Sequence, residues 1–189
     1  MGDVVAIVHS HPDVPARLSE ADRVACEASE LPWVIVSVMP GDNGPVYADV
    51  GEYAPTGYVA PLVGREFHHG LLDCWSLCRD WYAREWGCEL PNPPRGSEWW
   101  NDGSSDLYAD AALVSAGFTR LADAGDLALG DLILMQVRSR NLVPNHAGIY
   151  LGDGQMLHHM YGRLSSRVVF GGYWRDCARS FWRLKTLAG

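Results

Sequence analysis

Two kinds of hydrophobic spacing alternate along the chain and predict its elements. In the first part, short runs rich in Val and Ile at residues 3–8 and 33–38 predict two buried strands. Between them, Ser19 occupies the position of an N-cap and precedes a segment with helical spacing that extends to about Ser29. The first part of the chain is therefore predicted to have the order strand, helix, strand.

The second part begins with one amphipathic helix and continues with strands. Asp73 is the predicted N-cap of a helix over 74–86, which Gly87 ends. A second helix is predicted over 106–116. Short apolar runs then predict successive strands at 131–137, 146–151, 155–160, 167–170 and 179–184. A helix followed by an antiparallel meander indicates an α+β fold.

The residues between these parts are rich in Gly, Pro, Ala and Tyr, which is typical of a linker. We therefore expect an α/β segment at 1–40, a linker at 41–61 with one extended piece at 45–49, and a second domain at 62–189.

Composition narrows the class of protein. The chain has 189 residues, of which 48% are hydrophobic and 20% charged, as in a folded globular protein. The net charge of −8 and the lack of a basic run argue against nucleic-acid binding. The five cysteines have neither metal-type spacing nor the even number of a disulfide framework. Neither a signal peptide nor a membrane span is expected, because every apolar run is too short.

A cysteine stands at the predicted start of the helix in the second part. The free backbone N–H groups and the helix dipole at that position favour a thiolate at Cys74. A lone cysteine at a helix start is more often a buried core residue. Two later strands change this balance, because they carry His146 and the pair His158 and His159. A thiol at a helix start and a histidine on a strand are the parts of a cysteine nucleophile and its base.

The length of one turn decides which histidine joins His146. His158 and His159 are adjacent on a strand and so face opposite sides of the sheet. A three-residue loop at 152–154 would place Gly148 opposite His158, on the side of His146. A two-residue loop would bring His159 to that side instead. Both turns are sterically allowed, so the residues alone leave the two registers open.

Three motifs in the second part together resemble the NlpC-type cysteine peptidases, which are papain-like enzymes that cut peptidoglycan stem peptides. The motifs are Asp73-Cys74, the run from His146 to Gly152, and Leu157-His158. The resemblance implies Cys74 as nucleophile, His146 as base and His158 as the residue that orients it, without a cofactor. It also implies cleavage of a bond such as γ-D-glutamyl-diaminopimelate. Many members carry a Tyr near the oxyanion site a dozen residues before the Cys, and Leu62 stands there instead.

A second motif lies in the first part. His9 and His11 flank one residue and so share a face of a strand, and Asp22 lies on the first turn of the next helix. With Ser19, these residues resemble the JAMM metallopeptidase signature, which implies a zinc site at His9, His11 and Asp22 with Ser19 beside it. The general-base Glu of that family has no counterpart before His9. We therefore expect 1–40 to be a partial JAMM-like segment, with histidines that merely end a strand as the alternative.

The layout as a whole, a JAMM-like segment before an NlpC-type domain, resembles a group of phage tail-assembly proteins. This implies bacterial peptidoglycan and other tail-tip proteins as partners. It also implies a location in the virion tail, or in the host cytoplasm during assembly, with action in the periplasm or cell wall. Three rivals remain: a structural tail component with a vestigial site, an amidase or acyltransferase on the same fold, and a zinc isopeptidase.

Overall fold

A computed structural model describes residues 3–185 of the chain, which divides into two compact units after Ala60. The structure contains helices and mostly antiparallel sheets, as the α+β prediction requires. None of the helices in residues 3–185 is both long and apolar enough to cross a membrane.

The first unit is a three-stranded sheet with one helix. Strand β1 (Ile7–Pro12) pairs in parallel with β2 (Trp33–Met39), and β3 (Val46–Tyr53) pairs antiparallel with β2. Helix α1 (Glu20–Ser29) connects β1 to β2 and begins with a capping box, in which Ser19 accepts from the Asp22 amide and Asp22 accepts from the Ser19 amide. This confirms Ser19 as the N-cap.

Two predictions in this unit need correction. The first strand is displaced from 3–8 to β1, which carries both histidines of the motif. The apolar run misled the prediction because Val4, Val5 and Val8 are exposed. His9 instead packs edge-on against Trp33, with 5.1 Å between the ring centroids.

The expected linker at 41–61 is the second correction, since most of it is part of the first unit. Strand β3 continues the sheet well beyond the extended piece at 45–49. Further along, the backbone N–H groups of Thr56, Gly57 and Tyr58 all donate to the carboxylate of Glu27 on α1. These hydrogen bonds tie the Gly- and Pro-containing segment to α1, so it does not behave as a free spacer.

The second unit packs one long helix on an antiparallel sheet. Helix α2 (Cys74–Trp86) starts at the N-cap Asp73 and ends at Gly87, whose φ of 62° is the left-handed conformation that favours glycine. The sheet has the strand order β4-β9-β5-β6-β7-β8. Its strands are β4 (Phe118–Arg120), β5 (Leu132–Met135), β6 (His146–Gly152), β7 (Gln155–His158), β8 (Ser166–Val169) and β9 (Ala178–Leu184).

The core of this unit lies between α2 and the central strands. Leu77, Cys78 and Tyr82 on α2 are fully buried and share one cluster with Ile149 of β6 and Trp182 of β9. Burial of these aromatic and aliphatic side chains stabilises the packing of α2 against β6, the strand that carries His146.

Smaller elements differ from the sequence prediction. The second helix is only α3 (Asp110–Ser115), because Asp106 accepts from the Tyr108 amide in a preceding turn and no side chain caps the helix. Strand β4 and the short helix α4 (Tyr173–Cys177) were not predicted. Both are too short for a hydrophobic period to show.

Candidate active site

The start of α2 presents Cys74 at the edge of a cleft. Asp73 accepts hydrogen bonds from the backbone N–H of Ser76 at 2.9 Å and of Gly70 at 2.8 Å. Cys74 is the first residue of the helix, so its N–H has no acceptor within the helix. Cys74 is 8% exposed and lines this cleft.

A second residue holds this helix start, and the sequence alone did not reveal it. The guanidinium of Arg95 donates to Asp73 at 2.8 Å, to the Ser76 hydroxyl at 3.0 Å and to the carbonyl of Gly70 at 3.1 Å. Burial alone would raise the pKa of Asp73, but the hydrogen bonds and charge of Arg95 outweigh it and hold that pKa below its usual value. The only signal in the sequence is a cation within a Pro-rich stretch.

His146 and His158 form a buried pair on neighbouring strands. His146 Nε2 and His158 Nδ1 are 3.0 Å apart, and each residue is 4% exposed. The ring of Trp174 covers the pair, at 4.4 Å from His158 and 5.7 Å from His146 between ring centroids. The structure thus brings His146 together with His158.

The register that produces this pair combines the two turns considered from the sequence. Asp153 and Gly154 both have positive φ, and Gly152 pairs with Gln155, so the turn is the two-residue type. Such a turn alone would place His159 on the side of the sheet that carries His146. A bulge between Tyr150 and Gly152 shifts the register by one residue, and Gly148 faces His158 after all.

His159 occupies a separate place on the cleft wall. It is fully buried and lies edge-on to the ring of Phe67 at 5.1 Å. Burial, followed by the charge of the buried Arg65, lowers the pKa of His159 to about 4. The ring is therefore neutral at physiological pH.

The electrostatics of the site correct one expectation from the sequence. Burial, followed by the nearby charge of Asp73, raises the pKa of Cys74 to about 11, despite opposing contributions from a backbone hydrogen bond with Ala147 and from Arg95. Burial, followed by the proximity of His158, lowers the pKa of His146 to about 3. Burial therefore favours a neutral thiol and a neutral imidazole in the free site, against the thiolate that was expected at the start of the helix.

A cleft of about 420 Å³ joins these groups. Cys74 and His146 line it together with His159. Trp99 and Trp100, which follow a Pro-rich stretch, also line it. The other aromatic side chains that line the cleft are Phe67, Tyr108 and Tyr161.

Tyr108 is the second residue near the thiol that sequence reasoning missed. Its hydroxyl lies 3.7 Å from Cys74 Sγ, within the range of hydrogen bonds to sulfur. Tyr108 comes from the turn before α3, 34 residues after the cysteine, and no spacing in the sequence links the two.

The first unit contains a separate cluster formed by His9, His11 and Asp22. His9 Nε2 and His11 Nε2 are 3.0 Å apart, and the Asp22 carboxylate lies 3.3 Å from the first and 3.2 Å from the second. Ser19 Oγ donates to Asp22 at 2.6 Å. Burial would raise the pKa of Asp22, but the two hydrogen bonds from Ser19 and the charges of the histidines together lower it.

This donor set fits a small divalent metal ion. Zn²⁺ takes imidazole nitrogen and carboxylate oxygen at 2.0–2.2 Å in tetrahedral geometry, which places ligand atoms about 3.3 Å from one another. The three separations in the cluster agree with that spacing. Three protein ligands leave a fourth position open, as in sites where the metal binds water or substrate.

Two family models match different parts of the chain. A sequence model of the NlpC/P60 family matches residues 64–183, which contain Cys74, His146 and His158. A model of prokaryotic homologs of the JAB domain matches residues 1–47, which contain His9, His11 and Asp22. Both resemblances inferred from the motifs are thus confirmed at the level of the family.

Relatives with both parts are known from phages. The tail tip assembly protein K of Escherichia phage N15 is 38% identical over 188 residues, which cover 100% of this chain and 72% of that protein. The protein of the same name from Escherichia phage lambda is 38% identical over 182 residues, which cover 96% of this chain and 82% of that protein.

A solved structure of an NlpC/P60 family protein from Bacillus cereus ATCC 10987 aligns with 80% of this chain at 15% identity and a TM-score of 0.46. The chain spans 50% of the length of that protein. On the family match and the similarity along its whole length, the chain belongs to the NlpC/P60 family and to the family of phage tail tip assembly protein K.

Proposed function

We propose that the second unit is a cysteine peptidase that cleaves amide bonds in the stem peptides of bacterial peptidoglycan. The observation that supports this most is the buried 3.0 Å contact between His146 and His158 beside a cleft that also contains Cys74. A structural protein has no need for two neutral, buried imidazoles beside a thiol at a helix start, because each costs desolvation without contributing to a hydrophobic core.

Cys74, His146 and His158 have distinct roles in this proposal. The contact with His158 engages Nε2 of His146 and leaves Nδ1 as the nitrogen for the Cys74 proton. His158 fixes the orientation of the His146 ring and disperses the charge of the imidazolium, as a carboxylate or amide does in other triads. Because the free site is neutral, the proton moves from sulfur to nitrogen as the substrate binds and the thiolate attacks.

The proposed reaction then follows the two steps of acyl transfer. Sγ of Cys74 bonds to the carbonyl carbon and the electron pair of the C=O bond moves to oxygen, where the Cys74 N–H at the start of α2 can donate to it. The tetrahedral species collapses, and His146 gives its proton to the leaving amine. Water, deprotonated by His146, then cleaves the thioester and restores the thiol.

The substrate and setting are inferred from the family. We propose cleavage of the γ-D-glutamyl-diaminopimelate bond, with the protein in the virion tail or, during assembly, in the host cytoplasm. Other tail-tip proteins are its proposed partners, and peptidoglycan in the periplasm is its proposed target. The net charge of −8 disfavours nucleic acid as a substrate, which agrees with this choice.

The proposal is tested with purified, dye-labelled sacculi. The wild-type chain should release soluble dye, and Cys74→Ala should reduce release to the background level. Cys88→Ala serves as the matched control, because Cys88 is a partly buried cysteine that does not line the cleft. Equal release by the wild-type chain and Cys74→Ala would contradict a thiol mechanism.

We further propose that His9, His11 and Asp22 hold a zinc ion in the first unit. The ion would bring Lewis acidity there, while Ser19 keeps the Asp22 carboxylate oriented through its 2.6 Å hydrogen bond. Metal analysis of the purified chain should find close to one zinc per chain, and His11→Ala should lose it. Ser10 lies on the opposite face of β1, so Ser10→Ala should retain the zinc. Zinc content unaffected by His11→Ala would contradict the site.

A further inference from the structure

The position at which the family places a tyrosine cannot serve the oxyanion in this chain. Leu62 stands there and has no hydrogen-bond donor in its side chain. It packs against the hydrophobic core and lines a different depression, next to Trp81 and Leu157. Any side-chain donor to an oxyanion at Cys74 must therefore come from another element.

Tyr108 lies where such a donor is needed. Its hydroxyl is 3.7 Å from Cys74 Sγ, and the residue lines the same cleft. Its ring contacts those of Trp75 and Trp99, with centroid distances of 5.7 Å and 5.8 Å. Only 6% of the residue is exposed, so the hydroxyl is fixed by packing and does not swing freely.

We propose that the Tyr108 hydroxyl is the second donor of the oxyanion hole, beside the N–H of Cys74. The proposal rests on the function proposed above. When Sγ bonds to a carbonyl carbon, the carbonyl oxygen lies one bond beyond that carbon, within reach of a hydroxyl that contacts Sγ. Tyr108 thus touches the reacting atoms and is a catalytic residue in this reaction.

The protonation state of Tyr108 suits a donor. Burial, followed by the proximity of Cys74, raises its pKa well above the usual value for tyrosine. The hydroxyl therefore keeps its proton while negative charge develops on the substrate oxygen. No proton leaves Tyr108 in the reaction: the oxygen gains an electron pair as the C–S bond forms and returns it when the leaving group departs.

The experiment compares two reactions of the same thiol. Acylation of Cys74 by p-nitrophenyl acetate passes through an oxyanion, whereas alkylation by iodoacetamide displaces iodide at a tetrahedral carbon and forms none. Tyr108→Phe keeps the ring between the two tryptophans and removes only the hydroxyl. Loss of one oxyanion donor should slow the acylation burst by about 100-fold or more, while alkylation slows by less than about tenfold.

Tyr47→Phe is the matched control, because Tyr47 is an exposed tyrosine on β3 of the first unit. It should leave both rates unchanged. A wild-type burst in Tyr108→Phe would overturn the inference and leave the proposed function standing. Equal slowing of acylation and alkylation would also overturn it, because the hydroxyl would then act only on the thiolate. Absence of any burst in the wild-type chain, with Cys74→Ala as baseline, would count against the proposed function itself.

Discussion

At the scale of the residue, the site depends on which histidine meets His146. The sequence restricted the choice to His158 or His159 but left it open, because a single residue in the turn exchanges the two faces of the strand. The bulge between Tyr150 and Gly152 that decides the register has no signature in the amino-acid sequence. The resemblance to NlpC-type peptidases favoured His158, and the structure places it against His146.

The two histidines should therefore differ in their effect on turnover. His158→Ala removes the partner of His146 Nε2 and should lower kcat for release of peptide from sacculi by about 100-fold. His159→Ala leaves that contact intact and should lower kcat by less than about tenfold. Steady-state release assays on both variants provide the measurement. A larger loss in His159→Ala would show that the register places the wrong histidine in the triad.

At the scale of the element, the start of α2 is fixed by a buried ion pair. Asp73 and Arg95 have side chains that are 4% and 3% exposed, so truncating the arginine leaves a charged carboxylate without its partner. Arg95→Ala should lower the free energy of unfolding of the second unit by about 3–5 kcal/mol. Urea denaturation followed by tryptophan fluorescence measures this, since only Trp33 lies in the first unit.

Arg120→Ala is the matched control for Arg95→Ala. Arg120 pairs with Asp110 at 2.7 Å, but both side chains are more than half exposed. Its loss should change the unfolding free energy by no more than about 1 kcal/mol. If the two variants lost the same stability, the pair at the helix start would be no more than a surface contact.

Elements with a strong local signal were predicted well. Asp73 and Gly87 delimit α2 as expected, because an N-cap side chain and a left-handed glycine are local requirements. Residues 41–61 were expected to form a linker with only one extended piece at 45–49, whereas β3 and the tethered segment after it belong to the first unit. Their place is set by pairing with β2 and by Glu27, which lies 29 residues before Thr56, and such long-range contacts leave no local pattern.

At the scale of the whole molecule, the two candidate sites lie on two separate compact units. The motifs revealed both, since paired histidines on one strand and a cysteine at a helix start are local arrangements. Tyr108 and Arg95 were not found, because each reaches Cys74 or Asp73 through an irregular stretch whose path only the tertiary structure defines.

Three buried histidines should make the second unit sensitive to acid. Burial lowers the pKa of His146 to about 3 and those of His158 and His159 to about 4, against about 6.5 in the unfolded chain. The unfolded state therefore binds more protons below pH 6.5, so stability is lost as the pH falls from about 6.5 towards 4. Each histidine contributes up to about 1.4 kcal/mol per pH unit in that window.

The variant His158→Gln isolates one of these contributions. It should flatten the fall of unfolding free energy between pH 6.5 and 5, measured by urea denaturation at each pH. His68→Gln, at an exposed histidine, is the matched control for the substitution itself. An identical slope in the wild-type chain and His158→Gln would mean that His158 is not held neutral by the fold.

Mass spectrometry of muropeptides shows whether Cys74 cleaves a stem-peptide amide. Sacculi with diaminopimelate in their stem peptides are incubated with the wild-type chain, with Cys74→Ala and with Cys88→Ala. The wild-type chain and Cys88→Ala should convert longer stems into fragments that end at D-glutamate and peptides that begin at diaminopimelate. Cys74→Ala should produce neither. Unchanged muropeptides with the wild-type chain, or the same new fragments with Cys74→Ala, would rule out Cys74 as the nucleophile of a stem-peptide endopeptidase.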